Sequence, residues 1–200
     1  MTDINEKRDK SANNNKISGS GIVKYLLLSR DGDRRLNKTR FITQAALFAA
    51  AYAALTILLA PISFGQQQLR IAEALSIFPA FTPAAIPGLF VGCLISNTVS
   101  FYGLPDLIFG SAATLISAQL TYMISKVVKD KSVLTQVLLI PLPAVVINTI
   151  VIGVMISVLA SVPFPVAAFG VAAGQTLSCY GLGAPLYLLL RGYALRKASR

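Results

Sequence analysis

Histidine is absent from all 200 residues of this chain. That removes imidazole zinc sites and every triad that needs a histidine base. Cysteine is scarce: Cys93 and Cys179 each fall inside an apolar run, no CxxC occurs, and neither reads as half of an extracellular staple. The motifs GxxxxGKS/T, GxSxG and HExxH are missing too, which argues against ATP-driven work by a P-loop in this chain and against the usual hydrolase sites. Charge is the largest deficit. Only 13% of residues are charged and 54% are hydrophobic, where a soluble domain carries about a quarter charged. Between Phe41 and Leu190 the charged residues are Arg70, Glu73, Asp106, Lys126, Lys129, Asp130 and Lys131. With a mean hydropathy of +0.66, this is the composition of an integral membrane protein.

The net charge of +10 sits mainly at the ends and in one internal loop: 7–40, 126–131 and 191–200. Basic clusters of this kind set membrane orientation and attract anionic headgroups, and they point to a cytoplasmic membrane face rather than to nucleic acid. Residues 1–40 form a polar, basic segment expected to be disordered over its first 20 or so residues. The apolar run Ile22–Leu28 is interrupted by Lys24 and has no cleavage site behind it, so it is not a secretory signal. A short helix on the membrane surface and a tethered linker are the two readings left open for it.

Residues 41–191 read as the membrane domain, followed by a basic tail, 192–200. Phe41–Ala60 is long enough to cross, since ~20 residues at 1.5 Å each span a ~30 Å core. Two alanine stripes run along it, Ala46/Ala50/Ala54 and Ala45/Ala49/Ala53. Small residues at this spacing allow close helix approach, either within the bundle or to a partner. A short second helix is expected over about 68–79, then a proline-rich corner, and a third over about 84–101 with Gly88 and Gly92 on one face. A fourth covers about 105–127, and a fifth about 133–159 with a kink at Pro141 and Pro143. A sixth covers about 166–191. The fold class is therefore an all-α membrane protein with six transmembrane helices. The basic inner loop and basic ends place the N- and C-termini in the cytoplasm.

Arg70 breaks the positive-inside pattern. It lies three residues before Glu73, on one face if a helix forms, and ionisable groups at membrane depth face a partner or a cavity. Arg70, Glu73 and Asp106 begin at the outer ends of their helices. Asn97 and Asn148 fall in the outer half, ~20 Å along their helices, and Gln175 lies near the middle. Amides and carboxylates from distant helices thus share a depth, as in a polar pocket within an apolar bundle. Each has a plainer reading. Asp106 suits a helix N-terminus, Arg70 and Glu73 suit a mutual pair, the amides suit interhelical bonds, and Tyr102 suits interface packing.

Three segments carry a resemblance: QLRIAEALSIFPAFTPAAIPGLFVGCLISN (68–97), GLPDLIFGSAATLISAQLTY (103–122) and SCYGLGAPLYLLLR (178–191). They resemble the QueT-type membrane proteins, substrate-binding S components of energy-coupling factor (ECF) transporters for queuosine precursors. The resemblance runs over about Arg40–Arg191. It implies a six-helix S-component bundle in a prokaryotic cell membrane that is not an enzyme. Its partners are a coupling transmembrane subunit and two cytoplasmic ATPases, with no cofactor or metal. It implies docking of Ala46, Ala50 and Ala54 on the coupling subunit. The implied ligand is a 7-deazaguanine: preQ1 (the 7-aminomethyl compound), preQ0 (the 7-cyano compound) or queuine. In that reading Glu73 accepts from the guanine edge with Arg70 beside it, and Asp106 pairs an ammonium on the 7-substituent. Asn97 and Asn148 read other ring edges, and Tyr102 stacks on the base. Gln175 stands where the family is expected to carry a Glu. Two alternatives are an S component for another small metabolite or vitamin, and a membrane assembly factor or channel with purely structural polar groups.

Overall fold

The computed structural model describes residues 34–63 and 69–198, and every element among them is helical. The N-terminal segment expected to be disordered and the run Ile22–Leu28 lie outside the described residues, as does most of the turn expected after Pro61.

Helix α1 (Arg34–Leu58) is followed by the single turn α2 (Ala60–Ser63). The second expected helix is a 3-10 helix, α3 (Ile71–Ala80), with Pro79 inside it. A turn at Phe81–Thr82 leads to α4 (Ala85–Asn97), which ends four residues before the expected Phe101. A loop containing Gly103 at φ 63° follows. That backbone conformation is open to glycine and strained for most other residues. The chain then enters a π turn (Asp106–Gly110) that feeds α5 (Ser111–Val128).

The proline pair divides the next stretch into α6 (Val133–Leu139) and α7 (Leu142–Leu159). A proline lacks the N–H that would satisfy a carbonyl one turn back. Around this break the Tyr180 hydroxyl donates to the Leu138 carbonyl at 2.6 Å and the Thr121 hydroxyl to the Ile140 carbonyl at 3.2 Å. Side chains thus bond backbone carbonyls where the helix is interrupted, as membrane-depth backbone requires. The last stretch is α8 (Phe164–Thr176), a π segment (Leu177–Gly183) and α9 (Ala184–Ala198). It runs past the expected stop at Arg191.

Three helical stretches, Lys38–Leu58, Asp106–Val128 and Val133–Leu159, are long and apolar enough to cross a membrane, while Ile71–Ala80 and Ala85–Asn97 are shorter apolar helices. Large apolar side chains such as Leu58, Val127, Phe169 and Leu189 stand more than 70% exposed. Water would penalise such a surface and hydrocarbon would not.

Helix α1 packs on α4 through the small residues of both. A Cβ on Gly88 would lie 2.6 Å from the Ala45 carbonyl oxygen, and one on Gly92 would lie 2.7 Å from that of Ala49 and 2.8 Å from the Tyr52 Cβ. Gly153 of α7 meets Ala168 of α8 in the same way, though less tightly. α5 touches α3, α4 and α7, so it runs through the centre of the bundle. One apolar cluster (Tyr52, Ala72, Leu89, Cys93, Ala118) joins α1, α3, α4 and α5, and a second (Ile152, Met155, Ile156, Ala167, Val171) joins α7 to α8.

Candidate functional site

Arg70 precedes the first turn of α3 with extended backbone, φ −89° and ψ 98°. The spacing to Glu73 is therefore not that of two residues on one α-helical face. The Arg70 Nη2 donates to both carboxylate oxygens of Asp106, at 2.8 and 2.7 Å. Its Nη1 reaches the Cys93 sulfur at 3.8 Å. Asp106 also accepts from the Ser100 hydroxyl, and its backbone carbonyl accepts from Asn97 Nδ2 at 2.8 Å. Arg70 and Asp106 are 2% and 0% exposed. A charge-assisted pair with further donors around it is the arrangement in which buried ions are tolerated.

This corner depends on Gly110. A Cβ there would sit 2.7 Å from Asp106 Oδ1 and 2.8 Å from Asn97 Nδ2. The π turn therefore brings a residue without a side chain against the carboxylate and the amide. Single π turns inside helices recur at functional sites, and both π segments of this chain border its buried polar residues.

Glu73 lies in the first turn of α3 and is 1% exposed. Its Oε1 accepts from the Tyr52 hydroxyl at 2.6 Å. The Cys93 sulfur accepts from the Thr114 hydroxyl at 3.2 Å and from Asn97 Nδ2 at 3.4 Å. On another side of α3 the Cys179 thiol reaches the Glu73 backbone carbonyl at 3.6 Å, Gln175 Oε1 at 3.7 Å and the Ser76 hydroxyl at 3.7 Å. Arg70, Asp106 and Asn97 form one corner, which Glu73 joins through its backbone N–H on the Arg70 carbonyl at 3.0 Å, and Gln175 connects through Cys179 to the Glu73 carbonyl.

Asn148 and Tyr102 stand differently. Asn148 is buried on α7, and its Nδ2 has no hydrogen-bond partner. Tyr102 is half-buried in the loop after α4, with its side chain against the α7–α8 apolar cluster. Burial and the Asp106 carboxylate push its phenol above the ordinary tyrosine value, so it stays neutral. Asn97 Oδ1, Ser111 Oγ and Ser178 Oγ are also buried without a partner. Buried polar atoms are nearly always satisfied, so a set of orphans is a place for a ligand or for water. Two apolar grooves of about 250 and 270 Å³ lie elsewhere, one between α7 and α8 and the other between α7 and Pro105 and Phe109.

The two alanine stripes of α1 part company. Ala49 and Ala53 are buried and Ala45 half-buried, while Ala46, Ala50 and Ala54 are exposed. One stripe serves the bundle and the other lies on its outside.

Several members of the polar group were not singled out from sequence: Tyr52, Ser76, Ser100 and Thr114, with Cys93 and Cys179 read only as apolar-span thiols. A signal existed for two of them. Tyr52 and Thr56 continue the Ala45–Ala49 stripe at helical spacing, and Thr114 belongs to a buried series with Ser111, Ser117 and Thr121.

The family model described as QueT transporter matches residues 42–192. A curated relative, the "Queuosine precursor transporter QueT" of Lactococcus lactis subsp. cremoris (strain MG1363), is 38% identical over 82 residues, which cover 40% of this chain and 48% of the relative. The chain thus spans about half the length of the curated relative it matches. No solved structure matches it. With a family match over most of its length and an apolar helical bundle beneath it, the chain belongs to the QueT transporter family.

Proposed function

We propose that this chain is the substrate-binding subunit of an ECF-type importer and takes up a queuosine precursor of the 7-deazaguanine class. One observation carries the reading. In a chain of this family, Arg70, Glu73 and Asp106 are gathered with Asn97 inside an otherwise apolar bundle, where charge is too costly to serve as filler. The name of the Lactococcus relative supports the substrate class. Six crossings with both termini in the cytoplasm follow if α3–α4 and α8–α9 supply the crossings beyond the three long stretches. Exposed Lys129, Lys131 and Arg196 would then lie on the inner side.

Glu73 is the acceptor for the ring edge. The free atoms of Asn97 and Asn148 supply an acceptor and a donor for the remaining edges, and Gln175 approaches from the other side of α3, joined to the Glu73 carbonyl through Cys179. The Arg70–Asp106 pair holds the corner together, and Tyr102 covers the loop side. The exposed stripe Ala46, Ala50 and Ala54 docks on a coupling transmembrane subunit, with two ATPases beneath it. Small side chains leave a helix surface that another helix can approach closely.

Ligand-dependent thermal stabilisation of the purified chain by 7-aminomethyl-7-deazaguanine tests the reading. Glu73→Gln should weaken binding by at least about tenfold, the scale of losing one charge-assisted hydrogen bond. Unchanged affinity overturns the assignment of Glu73. Ala50→Leu should abolish co-purification with the coupling subunit, and undiminished recovery moves the docking face elsewhere. Gln175 favours a second reading, an S component for a different small metabolite, because an amide replaces an expected carboxylate. A ligand panel in which another compound stabilises the chain more than any 7-deazaguanine would select it.

A further inference from the structure

We propose that the basic corner between α5, α6 and α9 binds the headgroup of an anionic phospholipid, with Lys129, Lys131 and Arg191 as its cations. This corner is separate from the buried polar group and indifferent to the compound the chain carries. The sequence KVVKDKS (126–132) puts three lysines and one aspartate in and just before a turn. Local bonds fix that turn. The Lys131 N–H donates to the Val128 carbonyl at 2.9 Å, and the Ser132 hydroxyl accepts from the Thr135 N–H at 3.2 Å. Gln136 then ties the turn to α9. Its Nε2 donates to the Lys129 and Lys131 carbonyls, and its Oε1 accepts from Arg191 Nε and the Tyr187 hydroxyl. Two bonds of about 3 Å across one amide hold Arg191 Nε within about 8 Å of both lysine carbonyls, although Gln136 and Arg191 are 55 residues apart.

The amide of Gln136 is saturated, but the cations it positions are not. Arg191 gives Nε to Gln136, and its two terminal nitrogens have no protein partner among the described residues. Lys129 and Lys131 are exposed and have no ion pair among those residues, although Asp130 stands between them. Lys126 lies over the Tyr122 ring at 4.1 Å from its centre and adds a further positive charge at the end of α5. Four cations thus gather around one exposed carboxylate. Like charges held close repel one another, and an anion with several oxygens relieves that by bonding more than one of them. A guanidinium presents paired donors that match a phosphate, and ammonium groups beside it add point charges.

The surroundings favour a lipid over a free anion. Val127 at the end of α5, Leu134 and Leu138 on α6 and Leu189 on α9 are large apolar side chains, 50–74% exposed. Hydrocarbon covers such side chains, so the cations stand where the lipid-facing surface ends, the level at which basic residues meet headgroups. A ligand with a phosphate at that level and acyl chains beyond it satisfies both surfaces, whereas inorganic phosphate satisfies one.

The test follows thermal unfolding of the purified full chain in a neutral detergent. Phosphatidylglycerol, phosphatidylcholine with the same acyl chains, or inorganic phosphate is titrated in. Phosphatidylglycerol should half-saturate its stabilisation at a concentration at least about tenfold lower than phosphatidylcholine, since each cation near an anionic headgroup is worth roughly a factor of five. Lys129→Gln combined with Lys131→Gln leaves the backbone bonds to Gln136 in place and should remove most of that preference. Gln136→Leu keeps every cation and should still lower the preference about threefold or more, because Arg191 is no longer tied to the turn. Lys38→Gln, which removes one exposed cation near the start of α1, should leave it within about twofold. Equal response to the two lipids overturns the proposal, and so does an equal loss in Lys38→Gln, which would mean diffuse charge rather than a site. A preference untouched by Gln136→Leu overturns the positioning of Arg191. Stabilisation by inorganic phosphate at the phosphatidylglycerol concentration overturns the lipid. If Gln136→Leu does not fold, the lysine pair set against Lys38→Gln decides.

Discussion

Glu73 and Gln136 are both buried polar side chains on helices of one bundle, and they have opposite surroundings. Gln136 is 3% exposed on α6. Its Nε2 donates to the Lys129 and Lys131 carbonyls at 2.9 and 3.0 Å, and its Oε1 accepts from the Tyr187 hydroxyl at 2.7 Å and Arg191 Nε at 3.0 Å. Two donors and two acceptor positions are the whole capacity of an amide, so nothing is left for a ligand. The group around Glu73 holds unpaired Asn97 Oδ1 and two carboxyl groups against one guanidinium. The saturated network is a joint that ties the Lys129–Lys131 turn to α9. The unsaturated one has capacity to spare for something that enters.

The comparison breaks most violently at the ion pair. Asp106→Ala should cost ~3–5 kcal/mol of stability, because it leaves Arg70 buried without its counter-ion. Thermal or chemical unfolding in detergent measures it, and a loss of less than about 1 kcal/mol would mean that water reaches Arg70. Gln136→Leu should cost ~1–3 kcal/mol, since it strands the Tyr187 hydroxyl and two carbonyls. It should leave ligand affinity unchanged, and a drop in affinity matching that of Glu73→Gln would erase the distinction between joint and receptor. Gly92→Ala should cost ~1–3 kcal/mol by overpacking and should also weaken binding, because its Cβ would push on Tyr52, the partner of Glu73. Gly192→Ala, with open space around it, serves as the control. Tyr52→Phe should have the smallest effect, ~0.5–1.5 kcal/mol for one hydrogen bond. A larger loss would show that the hydroxyl holds α1 and α3 together rather than merely capping the carboxylate.

Much of the architecture was legible because it depends on local chemistry. The helical stretch Asp106–Val128 sits within a residue of its expected bounds, and the break at Pro141 falls where a missing N–H must interrupt a helix. The irregular elements were not legible. The IAEALSIFPA run has no feature that separates a 3-10 helix from a short α-helix, and no periodicity announces the π segments. The candidate site was read in its parts and missed in its connections. Its charged members stood out against an apolar background, whereas Tyr52 and Thr114 were hidden among residues of similar spacing.

By itself the sequence determined that this chain is a lipid-compatible helical bundle and that its few interior charges are two carboxylates and one guanidinium, because composition and hydropathy need no fold to act. The tertiary structure alone decided that Arg70 turns to Asp106, 36 residues away, and that Ala49 and Ala53 are buried while Ala50 and Ala54 are not. The reason is geometric. A helix offers all its faces equally until a glycine on a neighbour lets one of them close, and a salt bridge follows the approach of helices rather than the order of residues along the chain.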